Sequence, residues 1–337
     1  MDFRILVSAG LASLSLGGSA LAADATFKDW WAVCDNTRDC TAFGFAPEDG
    51  EDHAYLKLSR GGAAGAPITI AVVAGLDETT WALAVDGKVV PGLGAVPARE
   101  NGMYLRATLT GAQSAALVSA MANGNKLDIM SAGQRISGVS LAGSSATMRW
   151  VDDQQKRAGT VSAMLAKGDK PASVIPAPPA VPVVKAAAPV PQKGLGALPR
   201  GVQAKLNDCD DSEARVDPIA GRLAPGVVLW GAVCSQGAYN IVYSLFLTNE
   251  QGGEVRAAPI AYPEADEVSD GLMNITYDAR TQTLSNFAKA RGIGDCGTQN
   301  AWVWDGRQFA PTHQSLMGYC RGVPLEDWPV SYRTRAR

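Results

Sequence analysis

Histidine is nearly absent from this chain of 337 residues, which has only His53 and His313. Imidazole is the side chain that ordinarily titrates near neutrality, so little material exists for general acid–base work at physiological pH. Motifs that carry a chemical mechanism are missing too: no Gly-x-Ser-x-Gly elbow, no P-loop, no Gly-x-Gly-x-x-Gly after a strand and no His-Glu-x-x-His. The runs Gly92-Leu93-Gly94-Ala95-Val96-Pro97 and Gly194-Leu195-Gly196-Ala197-Leu198-Pro199 resemble each other. Their proline falls where a phosphate-binding helix would begin its second turn, which makes them loops. With no Cys-x-x-Cys, neither a zinc knuckle nor a thioredoxin-like motif is present, and nothing calls for a cofactor or a metal. A net charge of −3 gives no electrostatic case for nucleic acid, and the basic tail Arg333, Arg335, Arg337, read as a solvated end, is too short to change that. Past the N-terminus no apolar run is long enough for a transmembrane anchor, because the stretch near Val181 is broken by prolines and Lys185.

What is present begins with a leader. Arg4 supplies a basic start, Ile5 to Leu16 is apolar apart from serines and a glycine, and Ala20-Leu21-Ala22 has the small-x-small pattern that a signal peptidase needs. Residues 1–22 are therefore expected to be a signal peptide cleaved after Ala22, and the mature protein to be periplasmic. The six cysteines form an even set behind an export signal, which favours disulfides over metal or redox roles. They fall in neighbouring pairs, so the expected bridges are Cys34–Cys40, Cys209–Cys234 and Cys296–Cys320. The first would clip the turn-forming run Asp35-Asn36-Thr37-Arg38-Asp39.

Between residues 167 and 205 the composition shifts to proline, alanine and valine, a segment that cannot fold on itself and reads as an extended, semi-rigid linker. It divides the mature chain into residues 23–166 and 206–337. The first part alternates like strands over Thr41–Phe45, Tyr55–Leu58, Pro67–Val73 and Trp81–Val85, with Asp86-Gly87 as a hairpin turn. Two helices are expected there, Gln113–Ala122 and Ser144–Arg157, the second with Asp152, Asp153, Gln154 and Gln155 toward water. After the linker, strands are expected over Val227–Val233, Tyr239–Leu247, Val255–Ile260 and Leu272–Tyr277, with an aromatic hairpin over Trp302–Phe309. The fold class is mainly β (α+β): two antiparallel β-rich domains, the first with two short helices, joined by a Pro/Ala-rich linker.

Candidate chemistry is sparse, and no catalytic residue is assigned. His313 sits alone on the return strand of the aromatic hairpin. Carboxylates cluster at Asp208, Asp210, Asp211, Glu213 and Asp217, and again at Glu264, Asp266, Glu267 and Asp270, without the spacing of an EF-hand. Trp302, Trp304 and Phe309, with Tyr239, are the candidate binding residues if their face is open, since aromatic faces stack on sugars and peptides; burial in a core is the competing use.

Taken together, Asp29-Trp30 with Cys34-Asp35-Asn36 and Cys40, Val151-Asp152-Asp153-Gln154, Gly237-Ala238-Tyr239-Asn240, Gly294-Asp295-Cys296-Gly297, Trp304-Asp305-Gly306 with Phe309, and Cys320-Arg321-Gly322 resemble the bacterial domain-of-unknown-function family 1176. The first half is also loosely similar to invasion-associated locus B proteins. The resemblance implies an exported protein with three bridges, and it brings no catalytic residues. The expected function is a non-enzymatic binding or interaction module of the cell envelope, with an envelope protein or cell-wall ligand as partner. An envelope hydrolase or hydrolase inhibitor using the acidic loops is the alternative.

Overall fold

A computed structural model describes residues 22–48, 50–207, 209, 216–263 and 271–337. The protein is mainly β, and among the described residues no helix is long and apolar enough to cross a membrane. In the first half an antiparallel seven-stranded sheet runs, edge to edge, through Ala23–Phe27, Trp30–Cys34, Cys40–Phe45, Ala54–Arg60, Ile68–Ala74, Tyr104–Thr110 and Arg99–Asn101. A second sheet is formed by Gln134–Ser140, Lys126–Ser131, Thr80–Val85 and Lys88–Val89. Helices α1 (Gly111–Met121) and α2 (Ser144–Gln154) pack with both sheets around one apolar cluster.

Because successive strand side chains point to opposite faces, each strand of the large sheet serves two cores. Trp30, Ala32, Leu56, Leu58, Ile70 and Val72 face inward to the first-half cluster. Their neighbours Trp31, Val33, Phe43, Phe45, Tyr55 and Val73 face the other way and are equally buried. What covers them is the second half of the chain: Cys296, Met317, Val323 and Trp328 join the same cluster, with Phe287 and Tyr319 packed against it. An antiparallel sheet commonly leaves one face to water; the central strands of this one do not, which is why Trp30–Cys34 has no polar residue among its five.

The second half has two further sheets. One orders Ile219–Ala224, Val227–Gln236, Ile241–Thr248 and Arg256–Ala257, and the other Thr276–Asp278, Thr283–Lys289, Gly297–Trp304, Phe309–Met317 and Val330–Arg333. Leu223, Leu229, Leu245 and Leu247 of the first meet Leu284, Trp302, Trp304 and Phe309 of the second in a common core. The expected strand over 272–277 is split at Asn274, whose φ is +48°. Its amide donates to the Phe287 carbonyl at 2.8 Å and its Oδ1 accepts from the Ile241 N–H at 2.9 Å, a bridging role that straight strand geometry would prevent. The strand expected over 255–260 contracts to Arg256–Ala257, and Pro259 instead accepts from the Phe309 N–H at 2.9 Å.

The segment 167–205 is laid against both halves. Arg38 donates to the carbonyls of Pro176 and Ala177, Val183–Val184 pairs in parallel with Arg335–Ala336, and the Ala187 N–H reaches the Trp304 carbonyl at 2.7 Å. Gln192 exchanges hydrogen bonds with the Arg222 backbone, and Val202 is buried against Val228 and Trp230. The end of the basic tail is accordingly strand-paired, with Arg335 and Arg337 still exposed.

The three bridges are Cys34–Cys40, Cys209–Cys234 and Cys296–Cys320. Both helices lie where periodicity places them, but the polar end of α2 is a correction. Asp152 and Gln155 are fully buried, not turned to water. Asp152 accepts from the backbone N–H groups of Met164, Leu165 and Ala166, and Gln155 donates to the carbonyls of Arg38, Arg60 and Gly61. Arg157, also fully buried, extends the network to Ala63 and Ala64. Periodicity ranks side chains by apolarity, and it has no means of seeing that two irregular loops need these groups to satisfy their backbone.

Gly143, the residue before α2, has φ +101°, and a Cβ placed there would lie 1.8 Å from the Phe27 carbonyl oxygen. Gly143→Ala is expected to cost about 2–4 kcal/mol, combining left-handed strain with a backbone clash. A urea midpoint unchanged from wild type would contradict this contact.

Candidate functional site

The two halves meet over the outer face of the large sheet, and the junction is polar at its margins. At one margin the Cys34–Cys40 clip holds Asp35, whose Oδ1 accepts from the Thr37 N–H at 2.8 Å and the Asp39 N–H at 2.9 Å. Its other oxygen and Asp39 pair with Arg333, while Asn36 exchanges two hydrogen bonds with the Arg333 backbone at 2.9 and 3.0 Å. At another margin Asp327, nearly buried, receives the Tyr55 hydroxyl, Lys57 Nζ at 3.2 Å and the Arg106 guanidinium. Burial pushes the Asp327 carboxyl upward, but Lys57, Tyr55 and Arg106 outweigh it and hold it below the ordinary carboxylate range. The Tyr55 phenol is pushed far up by its burial and by Asp327.

Beside this junction opens a cleft of about 390 Å³. Five elements position its walls: the loop after Cys40–Phe45, the starts of strands Ala54–Arg60 and Tyr104–Thr110, the loop carrying Arg291, and the segment Cys320–Gly322. The Cys296–Cys320 bridge anchors the last of these, and Asp295 orients it. Buried Asp295 accepts the Gly322 N–H at 2.7 Å and takes both Nε (2.6 Å) and Nη2 of Arg291. Burial raises the Asp295 pKa, but the Arg291 fork and the Gly322 N–H leave it net lowered. Tyr104 is raised by burial and then by Asp295, with Arg291 opposing.

Arg321 projects at the centre of this wall. Its guanidinium lies over the Phe45 ring, 5.8 Å from the centroid, and Nη2 donates to the Ala46 carbonyl at 3.2 Å. Among the described residues no carboxylate pairs with it. A second cavity of about 250 Å³, lined in part by Lys28, Asp29 and Tyr319, shares Phe45, Glu48, Cys320 and Arg321 with the first. Asp295, Cys296 and Cys320 also place ligand atoms together, but the sulfurs are consumed in the bridge and offer no thiolate to a metal.

The candidate residues read from the sequence lie elsewhere. Trp302, Trp304 and Phe309 are within about 1 % of full burial, so the expected aromatic binding face is closed. Trp302 donates its indole N–H to the Ala261 carbonyl at 2.7 Å, and Trp304 meets Phe309 edge-on at 5.3 Å. The opposing sheet of the second half supplies the cover that the sequence pattern leaves open. Tyr239 is exposed, but it reaches the Ala290 carbonyl and stands outside the cleft. His313 is held by Ser315 at 2.8 Å, its pKa lowered by burial and then by Arg333; His53 lies on the cleft rim. Of the acidic clusters, Asp217 is exposed, and Asp208, Asp210, Asp211, Glu213, Glu264, Asp266, Glu267 and Asp270 lie outside the described residues. Arg321, Arg291 and Phe45 were missed as site residues. The signal for Arg321 lies in Cys320-Arg321-Gly322, and Gly294-Asp295-Cys296-Gly297 supports that wall through Asp295 and the bridge; Arg291 and Phe45 belong to neither motif.

Those motifs belong to a match over nearly the whole chain: the family described as protein of unknown function (DUF1176) covers residues 24–335. The chain belongs to the DUF1176 family. The DUF1176 chain is also 26% identical over 343 residues to the uncharacterized protein YpfG of Escherichia coli (strain K12), covering 94% of each. No solved structure matches it. The looser similarity to invasion-associated locus B proteins forms no part of either match.

A carboxyl with a lowered pKa stabilises the folded state above its unfolded value, near 3.9, and loses that contribution as pH falls through the folded pKa. Asp327 should therefore make stability fall below about pH 4. Asp327→Asn leaves Lys57 and Arg106 facing each other without a counter-charge, so it should cost about 2–4 kcal/mol at neutral pH and flatten the acid limb. Urea midpoints measured from pH 2 to 7 check both; a variant with wild-type stability and an unchanged acid slope would contradict the role given to Asp327.

Proposed function

We propose that this is an exported cell-envelope protein that binds a ligand in the cleft between its two halves, as a binding module without chemistry of its own. The observation that carries the reading is the construction of the cleft. Its walls come from both halves, its size is that of a small-ligand site, and junctions between packed units are where such sites occur. What it presents is recognition chemistry: the half-buried ring of Tyr104, a guanidinium at Arg321 with no carboxylate partner among the described residues, and a bridge and an ion pair that keep the wall rigid.

Export is supported by the leader pattern at Arg4 to Ala22 and by three bridges, which persist in oxidising compartments. In this reading the segment 167–205 is the linker joining a domain of residues 23–166 to one of residues 206–337. The partner is a ligand of the cell envelope or cell wall.

Two measurements test the proposal together. Fractionation and N-terminal sequencing of the expressed full chain should give a periplasmic protein beginning at Ala23. Equilibrium dialysis of that protein against a low-molecular-weight envelope extract, read by mass spectrometry, should show one compound retained near stoichiometrically. His53→Trp, which fills the cleft from its exposed rim, should abolish retention without lowering the melting temperature. Retention unaffected by that substitution would remove the cleft as the site, and a cytoplasmic protein with its leader intact would remove export.

A further inference from the structure

The charges of the cleft define a class of ligand; the inference rests on the reading of the cleft as a ligand site. The 390 Å³ and 250 Å³ cavities are neighbours with Phe45, Glu48, Cys320 and Arg321 in the walls of both, and they form a trough in two parts. Among the described residues its lining has three cations, Lys28, Arg291 and Arg321, and three carboxylates, Asp29, Glu48 and Asp52. Half of these are already committed. Arg291 is forked onto Asp295, Asp52 pairs with Arg135, and Asp29 accepts the Ser140 hydroxyl at 2.5 Å. Lys28, Arg321 and Glu48 form no ion pair among the described residues.

Arg321 is half-buried, with one face over Phe45 and one N–H on the Ala46 carbonyl. A guanidinium has five N–H donors, so most remain for a carboxylate, and such charge-assisted pairs are the strong ones. A neutral ligand would cover Arg321 without compensating it. A phosphorylated or polyanionic ligand would meet the unpaired carboxylate of Glu48 and that of Asp29, which only a hydroxyl partners. A ligand carrying both signs satisfies the trough, and the half-buried rings of Tyr104 and Tyr319 offer apolar contact along it.

We infer that the trough binds a short peptide of mixed charge, with a carboxylate on Arg321 and a cationic group toward Glu48. The test is amide NMR of the ¹⁵N-labelled mature protein, following Ala46 and Gly322, titrated with four probes: Lys-Ala-Ala, its C-terminal amide, inorganic phosphate and N-acetylglucosamine. Lys-Ala-Ala should shift both amides saturably, and its amide should bind at least tenfold more weakly. Arg321→Gln should weaken Lys-Ala-Ala at least tenfold, Arg321→Lys should restore part of the loss, and Glu48→Gln should weaken it a few-fold, all with the remaining spectrum intact.

Equal binding of the peptide and its amide, or full affinity in Arg321→Gln, overturns the assignment. Saturation by phosphate or by the sugar in preference to the peptide overturns the ligand class while leaving the cleft a site. If no probe moves either amide the peptide assignment fails, and retention from envelope extract separately decides whether the cleft binds anything.

Discussion

Burial of the large sheet on both faces is the constraint from which the rest of the structure follows. A strand such as Trp30–Cys34 has no side to offer to water, so Trp31, Val33, Phe43, Phe45 and Tyr55 require a cover that the first half does not supply. The second half provides it with Met317, Val323 and Trp328. Fully burying a large apolar side chain is worth roughly 1.5–3 kcal/mol, and several are involved, so this face outweighs any single polar contact at the junction. The cleft opens where the halves meet, lined from the first by Phe45, Tyr55 and Tyr104 and from the second by Arg291 and Arg321.

Polar groups at the junction set its alignment. Apolar packing is non-directional, whereas the Arg333 contacts with Asp35, Asn36 and Asp39, and the Asp327 contacts with Tyr55, Lys57 and Arg106, fix where the halves stop sliding. Two of the bridges act at the same places. Cys34–Cys40 shapes the turn that meets Arg333, and Cys296–Cys320 holds the wall that carries Arg321. The cysteines thus make no active site, but they determine the shape of the candidate one.

Local features were readable from the sequence. Helix α1 follows from the spacing of Leu117 and Met121, the strands from alternation, and the bridges from neighbouring cysteines. Features that depend on distant partners were not. Trp302 and Trp304 read equally well as an open face or a closed one until Leu223, Leu229 and Leu247 are placed opposite them. Asp152 and Gln155 look like solvated residues because the loops they satisfy are irregular and leave no period. The cleft was hardest to read, since Phe45, Tyr104, Arg291 and Arg321 are far apart in sequence and come together only by docking of the halves.

Differential scanning calorimetry of the mature protein with its bridges intact tests the shared core most directly. A face buried between the halves makes them unfold together, so the account predicts one transition whose calorimetric and van't Hoff enthalpies agree. Two resolved transitions, each insensitive to Asp327→Asn, would show that the halves are stable separately and that the junction is not the core described above.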